Sequence, residues 1–197
     1  MSSLKEPSYW HFGDEVLHVG RYAKAMINDR AAYEALFDGV RGETVIGESS
    51  TTYLQSNRAP DRIHAEIPHA RFVAILRDPS DRAYSAYCMH VAAGFEPIQD
   101  FDAALTENLK GGTWRHYVGM SFYADGLQRW FDRFGQDRVK VFLFDDLNRS
   151  SDDVMRETFT FLDVNPDFRP DVSRRANVTT FQESPAVSRL TTGNRHR

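Results

Sequence analysis

Arg77 and Ser85 are the two side chains whose chemistry and spacing first suggest a ligand. They lie in the stretch Arg71–Tyr87, RFVAILRDPSDRAYSAY. A guanidinium stays charged at any ordinary pH and presents a fork of donors that matches phosphate oxygens, and a serine hydroxyl one helical stretch further on can add another donor. The same residues also suit a plain capped and ion-paired helix start, with Asp78 and Arg82 at i,i+4, and spacing leaves both readings open. Asp145-Asp146 after an apolar run resembles a magnesium-holding segment of nucleoside triphosphatases. That would make the chain a nucleotide kinase relative, but no Gly-x-x-x-x-Gly-Lys-Ser/Thr loop accompanies it. The seven histidines, at 11, 18, 64, 69, 90, 116 and 196, include no pair at helical ligand spacing, so no metal is expected. Cys88 is the single cysteine; it has no disulfide partner within the chain and falls on a packed helix face, as a core residue.

These groups need elements to hold them. Phe72–Leu76 is short, apolar and β-branched, which predicts a buried parallel strand ending at Arg77. Asp78 is then an N-cap and Pro79 a first helical residue, with Ala83, Tyr84, Tyr87 and Cys88 forming the packed face of the helix. In open parallel sheets ligands collect at the carboxyl ends of strands, beside helix N-termini that favour anions, and Arg77 belongs at that edge. Val139–Phe144 predicts a second strand. Helices are predicted over Arg30–Phe37 behind Asp29, Ala59–Glu66 before Pro68, from Asp100 onward, over Phe122–Phe134 with an aromatic stripe, and over Asp152–Leu162 with Ser151 as cap. Thr44–Gly47 predicts a brief strand, and residues 20–28, the Gly111-Gly112 region and the chain from Asn165 on predict loops. Tyr9, Trp10 and Phe12 are large and apolar where chains usually fray, and Pro7 with them favours an extended segment in the interior of a fold.

The string from the apolar strand through Arg-Asp-Pro-x-x-Arg-Ala-Tyr-Ser-x-Tyr resembles the 3′-phosphate-binding segment of sulfotransferases that use 3′-phosphoadenosine 5′-phosphosulfate. The resemblance implies that Arg77 and Ser85 hold the 3′-phosphate of that cosubstrate. Lys5-Glu6-Pro7 with the aromatics after it is similar to a segment of the polysaccharide-modifying and bacterial members, in which the Glu takes the proton from the acceptor hydroxyl or amine; here that residue is Glu6. Without the resemblance, Glu6 is equally a surface carboxylate paired with Lys5. Gly47-Glu48-x-Ser50-x-x-Tyr53-Leu54 resembles a stretch that lies beside the active site in relatives, although its hydroxyls also suit a turn and a cap. Gly119 to Trp130 resembles a family helix with one extra residue before Tyr123, and the resemblance makes the Asp145-Asp146-Leu147 triplet structural. In relatives the chain's last part crosses the cosubstrate, through Arg174, Arg175 or Asn177 here.

The family also holds the phosphosulfate with a Gly-rich loop and its Lys, between a first strand and first helix. Neither occurs in this sequence, and the resemblance places Met1 just after that helix, so the chain is expected to be an N-terminally incomplete form of a single domain spanning 1–197. The implied fold is α/β: a three-layer arrangement of a parallel sheet flanked by helices, like that of P-loop nucleoside triphosphatases, with the first strand and Gly-rich loop absent. The implied function is sulfuryl transfer from 3′-phosphoadenosine 5′-phosphosulfate to a hydroxyl or amine acceptor of small-molecule or carbohydrate type. The alternative is a catalytically inactive remnant that binds 3′-phosphonucleotides. Length and a 41% apolar, 13% aromatic composition allow a sizeable core, and a formal charge of −4 argues against a basic nucleic-acid-binding surface. No apolar run approaches a membrane span and no signal peptide is evident, so a cytoplasmic protein is expected.

Overall fold

A computed structural model of the chain describes residues 1–12, 27–111 and 117–171. In chain order its elements are helices α1 (Tyr9–Phe12), α2 (Arg30–Ala35) and α3 (Ala59–Glu66), strand β1 (Phe72–Leu76), and helices α4 (Pro79–Ala92), α5 (Phe101–Leu109) and α6 (Tyr123–Phe134). Strand β2 (Val139–Leu143) and helices α7 (Phe144–Arg149) and α8 (Ser151–Leu162) follow. The chain divides into two compact units. One comprises Met1–Arg77 with Phe122–Arg169, and the other contains Asp78–Ser121. The predicted roles of Arg174, Arg175 and Asn177, the loop around Trp114, and His18, His116 and His196 lie outside the described residues.

The first unit is organised on β1 and β2, which pair in parallel from Phe72↔Val139 to Leu76↔Leu143. Alternation along the strands puts Phe72 and Ala74 on one face with Val139 and Val141, and Val73 and Ile75 on the other with Lys140 and Phe142. On the first face the Phe72 ring lies 4.5 Å from the rings of both Trp130 and Phe134 of α6, and the cluster extends through Ile63 of α3 to Tyr9, Trp10 and Tyr33. On the second face Lys140 Nζ meets Glu157 of α8 at 2.8 Å. Helix, sheet and helix thus form an α/β fold with a parallel sheet flanked by helices.

Local chemistry accounts for the boundaries. The Ser56 hydroxyl accepts the Ala59 N–H at 3.0 Å, and Pro60 occupies the first turn of α3. The Asp29 carboxylate accepts the Ala32 N–H at 2.7 Å and starts α2, which ends at Ala35, two residues short of the prediction. Ser150 rather than Ser151 holds the N-cap position of α8; its side chain makes no bond to the helix backbone, and its hydroxyl donates to Asp153 Oδ2 instead. Helix α6 passes so close to the preceding chain that a Cβ at Gly126 would lie 2.6 Å from the Leu54 carbonyl oxygen.

Three expectations fail locally. Thr44–Gly47 is not a strand: among the described residues it has no ladder partner, and Gly47 accepts a backbone bond from Ser2 N–H. Pro7–Trp10 are buried as expected, but Tyr9–Phe12 turns into a short helix instead of running extended. Phe122 and Tyr84 are 66% and 53% exposed, so neither belongs to the core faces predicted for them.

In the second unit, Asp78 Oδ1 accepts the N–H groups of Ser80 and Asp81 at 2.9 and 3.1 Å and caps α4. Ala83, Tyr87 and Cys88 face inward and pack with Ala104 and Tyr117. The buried Tyr117 hydroxyl donates to the Ala104 carbonyl at 2.8 Å, tying the chain after α5 back onto that helix.

Candidate active site

Arg77 is the first residue beyond β1, and Phe144 is the first beyond β2. Because Leu76 pairs with Leu143, the two stand level, and Arg77 Cζ lies 5.5 Å from the centroid of the Phe144 ring. The aromatic face backs the half-buried guanidinium at the carboxyl edge of the sheet. Ser85, on the second turn of α4, is half-buried, and its hydroxyl has no hydrogen-bond partner among the described residues.

The capping geometry changes one expectation. Asp78 takes two of the orphan N–H groups at the start of α4, so an anion beside this turn would depend on side-chain donors more than on the helix end. Arg82 donates from Nε to the buried Ser121 hydroxyl at 2.7 Å and from Nη2 to the Tyr117 carbonyl at 2.5 Å. Its role is to brace α4 within its own unit, a use that the i,i+4 spacing from Asp78 did not reveal.

Glu6 is half-buried at the head of the buried Pro7–Trp10 segment, and it adopts a left-handed backbone, φ 55°. Lys5 Nζ is 3.9 Å from Glu6 Oε1, with the two side chains 64% and 39% exposed. An ion pair that long and that wet is weak. The other oxygen, Oε2, accepts the Thr51 hydroxyl at 3.2 Å, and the Glu6 N–H donates to the Ser49 carbonyl at 3.1 Å. The carboxylate is therefore oriented from one side while remaining accessible. Thr51 as its orienting partner was not foreseen from the sequence; the only signal was that it falls inside the Glu48–Leu54 stretch.

Asp145 and Asp146 lie in the first turn of α7, where Asp146 Oδ1 accepts from Arg149 Nη1 at 3.0 Å. Acidic residues at a helix start complement its dipole, which is a structural use. Among the described residues no group of three or more His, Cys, Asp or Glu side chains is placed to hold a metal ion, and no helix is long and apolar enough to cross a membrane.

Comparison with known proteins bears on the whole chain. The chain is 31% identical over 134 residues to the bifunctional heparan sulfate N-deacetylase/N-sulfotransferase 4 of Mus musculus, a match covering 61% of this chain and 15% of that protein. It is 24% identical over 223 residues to carbohydrate sulfotransferase 15 of Homo sapiens, covering 84% of this chain and 39% of the relative. The chain spans about a sixth of the length of the heparan sulfate proteins it matches. The crystal structure of a sulfotransferase from Alicyclobacillus acidocaldarius superposes with a TM-score of 0.79 at 32% identity, over 96% of this chain and 78% of that one. The family model described as the sulfotransferase family matches residues 8–168, most of the sequence and nearly all of the described fold. On that match, the chain belongs to the sulfotransferase family.

Proposed function

We propose that the protein transfers a sulfuryl group from 3′-phosphoadenosine 5′-phosphosulfate to a hydroxyl or amine of a carbohydrate. Arg77 and Ser85 bind the 3′-phosphate, the guanidinium as a charged fork and the hydroxyl as a single donor. The acceptor oxygen or nitrogen attacks sulfur in line, the bond from sulfur to the bridging oxygen of the 5′-phosphate breaks, and Glu6 takes the acceptor's proton. The products are the sulfated acceptor and adenosine 3′,5′-bisphosphate. Sulfuryl transfer, like phosphoryl transfer, asks mainly for positioning and charge stabilisation, so fixed donors and an oriented base are the relevant equipment.

The observation that carries this reading is the place of Arg77: a half-buried guanidinium, backed by an aromatic ring, at the carboxyl end of a parallel strand in a chain of this family. The carbohydrate acceptor is supported by the names of the heparan sulfate and carbohydrate sulfotransferase relatives.

Calorimetry with adenosine 3′,5′-bisphosphate tests the nucleotide site. Arg77→Ala should weaken binding by about 10- to 100-fold, since a hydrogen bond to a charged group contributes about 1.5–3 kcal/mol. Ser85→Ala should weaken it by about fivefold, near 1 kcal/mol. Unchanged affinity in both variants would overturn the site. Transfer of labelled sulfate to desulfated heparan or chondroitin tests the reaction. Nucleotide binding without transfer to any acceptor would instead favour a nucleotide-binding protein that has no catalytic role.

A further inference from the structure

Glu48 sits half-buried at the start of the stretch against which the Glu6 segment is packed. Its two carboxylate oxygens collect three hydroxyls: Ser50 Oγ donates to Oε2 at 2.8 Å, while the Tyr53 hydroxyl and, at 3.4 Å, the Tyr33 hydroxyl donate to Oε1. Each of those hydroxyls in turn accepts an N–H from the segment that follows Glu6. The Ser8 backbone N–H donates to Ser50 Oγ at 3.0 Å, the Trp10 backbone N–H to the Tyr53 oxygen at 3.3 Å, and Trp10 Nε1–H to the Tyr33 oxygen at 2.9 Å.

A hydroxyl that accepts from an N–H must still place its own proton, and in each of the three relays the acceptor is Glu48. A neutral amide has only one oxygen to offer, so it cannot terminate all three relays with their present polarity. Burial first, and then the nearby carboxylate, push the Tyr53 phenol well above its ordinary range, so it remains a donor at any physiological pH. Tyr33 is displaced in the same direction, again chiefly by burial. Ser8 itself has a left-handed backbone, φ 56°, as Glu6 does, so this turn needs outside bonds to keep its shape.

We propose that Glu48 is a positioning residue, whose carboxylate ends three N–H to hydroxyl relays and thereby fixes the buried segment that presents Glu6. The catalytic consequence rests on the reading of Glu6 as the base; the anchoring itself does not. Glu48 touches neither the acceptor nor the nucleotide in this scheme. It acts on the reaction through the backbone of Ser8 and Trp10.

The experiment compares the full chain with Glu48→Gln and, because a buried network can be costly to disturb, with the milder Ser50→Ala. Amide hydrogen exchange is followed by NMR, and sulfate transfer is measured beside it. The expected result is exchange at one or both of the Ser8 and Trp10 amides at least about tenfold faster in Glu48→Gln, since the single amide oxygen can keep at most two of the three hydroxyls, with β1 amides unaffected. Ser50→Ala should accelerate Ser8 and leave Trp10 close to wild type. In Glu48→Gln kcat should fall about tenfold or more, with affinity for adenosine 3′,5′-bisphosphate within twofold of wild type. Wild-type exchange at both amides in both variants would overturn the anchoring, and faster exchange with unchanged kcat would overturn the positioning role. Glu6→Gln turning over at the wild-type rate would instead remove the reading of Glu6 as base, while the exchange data would still decide the anchoring.

Discussion

At the scale of single residues, the proposed site divides into side chains assigned to bind ligand and side chains that aim them. Thr51 is the clearest of the second kind, because its hydroxyl reaches the candidate base directly. Thr51→Val keeps the shape and removes the donor. It should lower kcat for sulfate transfer by about 3- to 10-fold, in line with a net hydrogen-bond contribution near 1 kcal/mol, with KM for the nucleotide unchanged. A Thr51→Ser variant, which restores the hydroxyl, should recover most of the loss. Arg77 and Ser85 were singled out in the sequence because the string from strand to helix resembles the family's 3′-phosphate segment, while spacing alone left a capped, ion-paired helix start equally open. The Gly47–Leu54 stretch was singled out in the same way, but nothing in it told which partners Thr51 and Glu48 take. Thr51 meets Glu6 45 positions away, and Glu48 acts through Ser50 and Tyr53 on backbone 42 and 43 positions from them, in a segment whose fold is set by tertiary contacts rather than by any periodicity.

Elements show the same contrast between local and distant causes. Helix α3 matches its predicted span and α4 its predicted start because both starts are encoded locally, by Ser56 with Pro60 and by Asp78 with Pro79. Asp78→Ala should therefore lower unfolding stability by about 1 kcal/mol, read by urea denaturation. Helix α6 is different. Replacing a helical glycine with alanine normally stabilises by roughly 1 kcal/mol, but at Gly126 the new methyl would meet backbone at Leu54. Gly126→Ala should destabilise by about 1–3 kcal/mol, and a variant as stable as wild type would contradict the close approach. No pattern in the sequence marks that glycine, since the constraint comes from a segment some seventy positions earlier. The failed strand at Thr44–Gly47 has the converse origin: its composition favours extended chain, but no neighbouring strand among the described residues supplies a ladder.

For the whole molecule, pH dependence of stability follows from a residue next to the aromatic core. Burial first, then the charges of Arg58 and Arg62, hold the His11 imidazole below its usual value of 6.5. Above 6.5 both folded and unfolded chains carry it neutral, and its contribution to stability is fully present. As pH falls below 6.5 the unfolded chain takes up a proton that the folded chain resists, and the contribution is lost as pH descends through the lowered value. The melting temperature should consequently drop between pH 7.5 and 5.5, and His11→Gln should flatten that part of the profile. Equal slopes in the two proteins would assign the acid sensitivity elsewhere. The α/β class was implied by the family resemblance, and the two short apolar runs with helical patterns around them are consistent with it. The two-unit division was not, because β1 runs into α4 through Arg77-Asp78 with no linker composition to mark a boundary.

The left-handed backbone at Glu6 has a practical consequence for engineering. A side chain such as glutamate costs about 1 kcal/mol or more in that conformation, whereas asparagine tolerates it. Glu6→Asn should melt no lower than the parent protein and yet lose turnover. With Glu6 read as the base, a directed-evolution campaign scored by heat tolerance alone would be drawn towards inactive variants at position 6, and its libraries should leave that codon untouched.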